Sequence, residues 1–281
     1  MSVLLALVAA VAYGVSDFAG GMASRREPAL RVLVLSYPVG VVLMAALLPL
    51  VPGRLDTATL LWSAAAGLAG AVGVVLLYLG LAAGPMAVVA PLTAVASAVV
   101  PVTVGIGLGE RPPPPAYLGV ALALLAVALV SRGPGDSSPA RAPVTVRAVG
   151  LALLAGVGFG CYFVLLSRAP EASGGWPLLV SRLSSTLAVG VLAVGTGRAG
   201  RLAPGVGRVA VVAGALDALA NLAYLLAVRQ GLLSLVAVLV ALYPAATILL
   251  ARLVLGERTG RGQRVGLAVA AGSIALIAWS G

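Results

Sequence analysis

In the stretch "AYGVSDFAGGMASRR", an aspartate, Asp17, sits near the end of an apolar run that begins at Val3 and otherwise holds no charge. A carboxylate in such a run is costly unless it is paired, hydrated or neutral. Tyr13 lies four residues before it and Gly20 three after, so the three share one helical face. The chemistry that fits is binding of a proton or an amine by Asp17, with Tyr13 as a hydrogen-bonding neighbour. The competing reading puts Asp17 at the membrane interface, roughly 8 Å from the end of its helix at a 1.5 Å rise, where it pairs with Arg25 or Arg26.

A second constellation lies in "GALDALANLAYLLA", where Asp217, Asn221 and Tyr224 follow an i, i+4, i+7 pattern that includes the chain's only asparagine. One polar stripe on an apolar helix points at one interior surface, either a hydrated cavity or a set of interhelical hydrogen bonds. Arg182, in "VSRLSSTL", offers a guanidinium fork for a solute carboxylate or for a gating ion pair with an acid. Its alternative is to snorkel to the interface, as expected of Arg252. Thr93 and Ser97 share a face, where their hydroxyls line a cavity or bond back to the i−4 carbonyl. Glu110 and Glu257, beside arginines at span ends, read as structural loop contacts. Gly67, Gly70 and Gly73 read as close-packing positions.

The elements that carry these residues are membrane spans. With 61% hydrophobic and only 9% charged residues among 281, the chain departs far from a soluble domain and reads as a polytopic membrane protein. All 18 basic residues are arginines, thinly spread, with no basic run interleaved with aromatics, so nucleic acid is not an expected partner. The lack of histidine removes the commonest metal ligand and general base, and the single cysteine, Cys161, excludes an intramolecular disulfide. No cofactor is expected. Ser2 and Val3 lead into apolar residues without a basic region, which favours a first span over a signal peptide.

Punctuation by Gly, Pro and Arg predicts ten helices of about 20 residues, at 3–22, 30–51, 58–81, 86–108, 116–131, 148–166, 177–196, 209–228, 232–255 and 265–280. A polar linker over 132–147 separates five spans from five, giving units 1–131 and 148–281. At an offset of 147 the two halves match. "GERPPPPAYLG" at 109–119 lies over "GERTGRGQRVG" at 256–266, and Gly84 falls on Gly231. Five spans per unit make tandem units cross the membrane in opposite senses, an inverted repeat suited to alternating access. Twelve arginines fall on the face reached after the odd-numbered spans and four on the other. By the positive-inside rule the richer face is cytoplasmic, which places both termini outside.

Ten spans in two halves, the two Gly-Glu-Arg segments, Tyr243-Pro244 in span 9 and "YGVSDFAGGMASRR" in span 1 resemble the drug/metabolite transporter superfamily, specifically EamA-type transporters. Two departures stand out: Ser97 replaces the proline expected opposite Pro244, and Tyr13-Gly14 stands where Trp-Gly is common. The resemblance implies an all-α integral membrane protein whose helices surround a central cavity lined by spans 1, 3, 4, 6, 8 and 9, with Tyr243 on the lining. It also implies termini inside, against the charge count, and a multi-pass location in a plasma membrane of the bacterial inner-membrane type. The function implied is secondary active export, by alternating access, of an amino acid, related metabolite or cationic compound, with protons as a coupling ion. The expected partners are a small-molecule solute, the lipid bilayer and protons, with a monomer compatible with the sequence and the oligomeric state not specified by it.

Rival classes are a membrane-embedded enzyme acting on lipid and a passive channel. Serine-type intramembrane proteolysis lacks its histidine, the aspartates lack Tyr-Asp and Gly-x-Gly-Asp contexts, and eight scattered acids form no metal cluster. Energy from ATP through a Gly-x-x-x-x-Gly-Lys loop is excluded by the absence of lysine.

Overall fold

The computed structural model describes residues 1–24, 26–84, 86–130, 145–198, 200, 202–203, 205–255 and 260–280. Arg25, most of the linker, the second Gly-Glu-Arg segment with Glu257, and Gly281 lie outside the described residues. The described chain is helical: α1 (Ser2–Ser24), α2 (Ala29–Leu47), α3 (Thr57–Ala83), α4 (Met86–Gly107), α5 (Pro114–Val130), α6 (Val146–Ser167), α7 (Trp176–Gly195), α8 (Val206–Val228), α9 (Leu233–Val240), α10 (Tyr243–Leu255) and α11 (Arg261–Ser280). Among the described residues nine stretches are long and apolar enough to cross a bilayer, Leu233–Val254 counted as one, and Pro114–Val130 is a shorter apolar helix. Helices dominate because a spanning backbone must satisfy its polar groups internally.

Most helix ends fall within three residues of the sequence expectation. Span 9, expected as one helix over 232–255, is instead broken between α9 and α10 at Ala241 and Leu242. Pro244 has no N–H with which to continue the ladder to Val240, and its ring crowds that carbonyl. The chain turns there instead, with Leu242 N donating to Leu239 O at 3.2 Å and Ala245 N to Leu242 O at 2.9 Å.

Small residues bring the helices together. The matched glycines of the two halves meet in one interface, α5 on α11. A Cβ on Gly119 would lie 2.6 Å from Ile277, and one on Gly266 would lie 2.7 Å from Val130. Ser273 Oγ donates to Gly119 O there at 2.8 Å. Elsewhere α3 packs on α6 and α7, α8 on α1 and α2, and α4 on α6 and α9.

The end of the bundle where α1 begins is sealed. Gly175 N donates to Val51 O at 2.9 Å, Arg54 N to Ala172 O at 2.9 Å, and Arg229 Nη2 to Ser173 Oγ at 3.2 Å. Glu110 reaches from the α4–α5 loop to the start of α9, accepting from Leu233 N at 2.6 Å and Ser234 N at 3.0 Å. Among the described residues, the opposite end carries these ties: Glu27 binds Arg31 at 3.2 Å and accepts from Ala203 N at 3.0 Å, and Thr145 Oγ1 donates to Ala83 O at 3.3 Å. Helix α1 distinguishes the two ends along one face. Ala6 and Ala10 are buried near the sealed end, whereas Asp17, Gly21 and Ser24, continuing that face, are exposed. That face is not the outward one, which Leu4, Val8 and Val11 occupy.

Candidate functional site

Arg182, on α7, turns inward. Its Nη2 pairs with Asp217 Oδ2 on α8, and its side chain is 9% exposed against 30% for Asp217. The guanidinium carbon lies 5.7 Å from the ring centroid of Tyr37 on α2, a cation–π arrangement. Its stem packs against Gly40, where a Cβ would lie 3.3 Å from Arg182 Cδ. Snorkelling is thereby replaced by a buried ion pair, because a neighbouring acid and a tyrosine face compensate the charge in place. The Nε nitrogen remains buried without a hydrogen-bond partner.

One turn beyond Asp217, Asn221 is almost fully buried and joins both neighbours. Its Nδ2 donates to Asp217 O at 2.7 Å, and its Oδ1 accepts from the hydroxyl of Tyr162 on α6. Tyr224, the last of the stripe, is wholly buried and donates to Phe163 O at 2.8 Å, tying α8 to α6. The stripe therefore grades from a half-open acid to a closed structural hydroxyl.

Helix α1 completes the cluster. Ser16 Oγ donates to Ala213 O at 2.8 Å, which fixes α1 on α8 and sets the direction of its neighbour Asp17. Tyr13 stacks edge-on to Phe163 at 6.3 Å and lies 6.4 Å from Tyr243, its hydroxyl buried and unpartnered. Asp17 is exposed and lies within electrostatic reach of Asp217, Tyr78 and Tyr243. It makes no ion pair with Arg26, and Arg25 lies outside the described residues. Thr93 and Ser97 stand apart in the α4–α6 interface. Thr93 Oγ1 donates to Ala152 O at 3.0 Å and Ser97 Oγ to Ala94 O at 2.8 Å, an i−3 bond where the i−4 carbonyl was expected.

Tyr37, Tyr162 and Phe163 belong to this cluster and carry no spacing motif that announces them. A usable signal exists in hindsight. Aromatics make up only 5% of the chain, and Tyr37 and Tyr162 fall inside spans, away from the interfacial belts where tyrosine collects.

The assembled chemistry is one ion pair, a second carboxylate without a cationic partner among the described residues, and several aromatic faces. Chemically, a carboxylate such as that of Asp17 can accept an ammonium or a proton, and tyrosine rings attract positive charge. Among the described residues no three metal-ligating side chains gather.

This arrangement defines a multi-pass α-helical membrane protein with a polar and aromatic cluster deep among its helices. The sequence model of the EamA-like transporter family matches residues 1–132 and 146–279, so the chain belongs to that family and with it to the drug/metabolite transporter superfamily. Its members are membrane transporters of small solutes rather than enzymes. A protein crystal structure 19% identical in sequence superposes with a TM-score of 0.76, covering 98% of this chain and 95% of its own, a likeness of fold. Comparison with curated proteins gave no match.

Proposed function

We propose that the protein is a secondary active carrier that exports a small organic solute, an amino acid, related metabolite or cationic compound, across a plasma membrane by alternating access with protons as the coupling ion. The observation that carries this reading is the cluster of Asp17, Arg182, Asp217, Asn221 and Tyr162 lying between a sealed end and an end where the same face of α1 is exposed. Such an asymmetry is what a carrier caught open to one side displays, with Asp17 and Tyr13 on the wall of a central cavity.

An inverted repeat is supported by paired contacts. Helices α3 and α6 mirror α8 and α1 across an offset of 147, as α3 and α7 mirror α8 and α2. A Cβ on Gly67 would lie 2.2 Å from Ser181 O of α7, and one on Gly214, its counterpart, 2.2 Å from Ser36 O of α2. Matching sequence positions thus solve matching close-approach problems in the two halves.

Reconstitution decides between carrier and channel. In liposomes preloaded with a candidate solute, a carrier gives counterflow of labelled solute and negligible ion conductance, and passive conductance without counterflow would overturn the reading. Replacing Asp217 with Asn should weaken binding or abolish coupling while the protein remains folded. Unchanged affinity, flux and pH dependence would remove Asp217 from the site.

A further inference from the structure

We propose that Glu110 is a latch whose carboxylate holds the sealed end of the carrier closed by capping α9, and whose release accompanies opening of that end. The proposal rests on the alternating-access reading above. Helix α9 needs an external cap: its N-cap residue, Leu232, has no hydrogen-bonding side chain, and Ser234, wholly buried, leaves its own hydroxyl unpartnered. Glu110 supplies both missing acceptors, taking Leu233 N at 2.6 Å and Ser234 N at 3.0 Å. A carboxylate at a helix N-terminus gains from charge-assisted hydrogen bonds and from the helix dipole.

The local backbone is shaped for this contact. Gly109 takes φ +98°, a conformation that residues with a Cβ rarely adopt, and Glu110 N donates to Gly105 O at 3.0 Å. A Cβ on Gly105 would crowd the Glu110 carboxylate and lie 3.2 Å from Ser234 N, so glycine at this position leaves the carboxylate room.

Two features make this cap a latch rather than a fixed joint. It links the α4–α5 loop to a helix 123 residues away, in the other half of the chain. Helix α9 is also a short segment separated from α10 by the break at Ala241 and Leu242, so it can tilt without dragging a whole span. The Val51–Gly175 and Arg54–Ala172 ties of this end are neutral backbone bonds; Arg229 brings charge to Ser173 Oγ and Pro170 O, and Glu110 brings charge to two backbone donors at once.

The test uses the full chain in lipid nanodiscs, where both faces meet solvent, with Cys161→Ser as background and a water-soluble maleimide as probe. Ala6→Cys reports the sealed end and Gly21→Cys the open end of the same face of α1. Glu110→Gln keeps size but offers one acceptor and one donor where two acceptors are needed. Expected is a roughly 10- to 100-fold faster labelling at position 6, the range that loss of a charge-assisted hydrogen bond gives, together with slower labelling at position 21. The reciprocal change identifies a shift from opening at one end to opening at the other. Unchanged rates, or faster labelling at both positions, would overturn the proposal. Should Glu110→Gln fail to fold, Glu110→Asp, which keeps the charge but withdraws it by one methylene, is read by the same criterion. Labelling needs no solute, so unchanged rates beside intact counterflow refute the latch alone, whereas conductance without counterflow refutes the carrier.

Discussion

Deleting either partner of the Arg182–Asp217 pair should destabilise the protein, and unequally. Arg182 is 9% exposed in its side chain, and removing its partner leaves a nearly buried guanidinium uncompensated. For full burial that costs about 3–5 kcal/mol. Asp217 is 30% exposed, so water entering its place relieves part of the penalty and puts Asp217→Leu near the lower end, about 3 kcal/mol. The reverse deletion, Arg182→Leu, strands a carboxylate that already meets water and should cost only about 1–2 kcal/mol. Removing both charges replaces the pair with apolar packing, and the double variant should fall within about 1 kcal/mol of the parent. The coupling energy is then about 3–6 kcal/mol, at or above the upper end for residues in direct contact. Denaturing-detergent titration of the four proteins, followed by tryptophan fluorescence, measures the cycle. Additive single effects, or Arg182→Leu costing more than Asp217→Leu, would refute the reasoning.

Asp17→Asn should abolish proton-driven flux while solute exchange is at least partly kept, and normal proton-coupled flux in that variant would return Asp17 to helix-end electrostatics. Asp56 caps α3, and hydrogen bonds from Thr59 hold its carboxyl below the ordinary range. A depressed folded value contributes stability present above the unfolded pKa and lost as pH falls through the folded one. The acid limb of the stability curve should therefore flatten in Asp56→Ala, and an unchanged limb would assign it elsewhere. Sidedness is read by cysteine labelling at Ser137 and Gly281, both outside the described residues, in the Cys161→Ser background. If Ser137 labels only after permeabilisation, the arginine-rich face is inside and the termini are outside.

Much of the fold was legible because hydropathy and punctuation set span positions directly, and a proline break was the one element missed. Pro244 lacks the N–H that would bond to Val240, yet α2 runs through Pro38 and α4 through Pro101 unbroken, so a proline in the sequence does not by itself say which span will break. Within the site, spacing located Asp217 and Asn221, since residues four apart must share a face. Partners across helices were not legible. Nothing local in "VSRLSSTL" says that Arg182 meets Asp217 on the next helix, or that Tyr162 meets Asn221 59 residues away. Thr93 and Ser97 show the converse. Their shared face is real, but a hydroxyl in a tight interface spends its hydrogen bond on the nearest carbonyl.

Pairing Arg182 with Asp217 has an electrical side. Because the two charges cancel, the pair presents the membrane field with little more than a short dipole as the bundle rearranges. Asp17 is different: no cationic side chain pairs with it among the described residues. A potential of 100 mV does about 2.3 kcal/mol of work on one elementary charge that crosses the whole field. In the carrier proposed above, an Asp17 that holds a proton or a monovalent cation is neutral in sum and crosses the field at no electrical cost. Empty and ionised, it is not. In that carrier, voltage would therefore act on the unloaded return step, and changing the potential across proteoliposomes is expected to alter turnover while leaving solute affinity where it was.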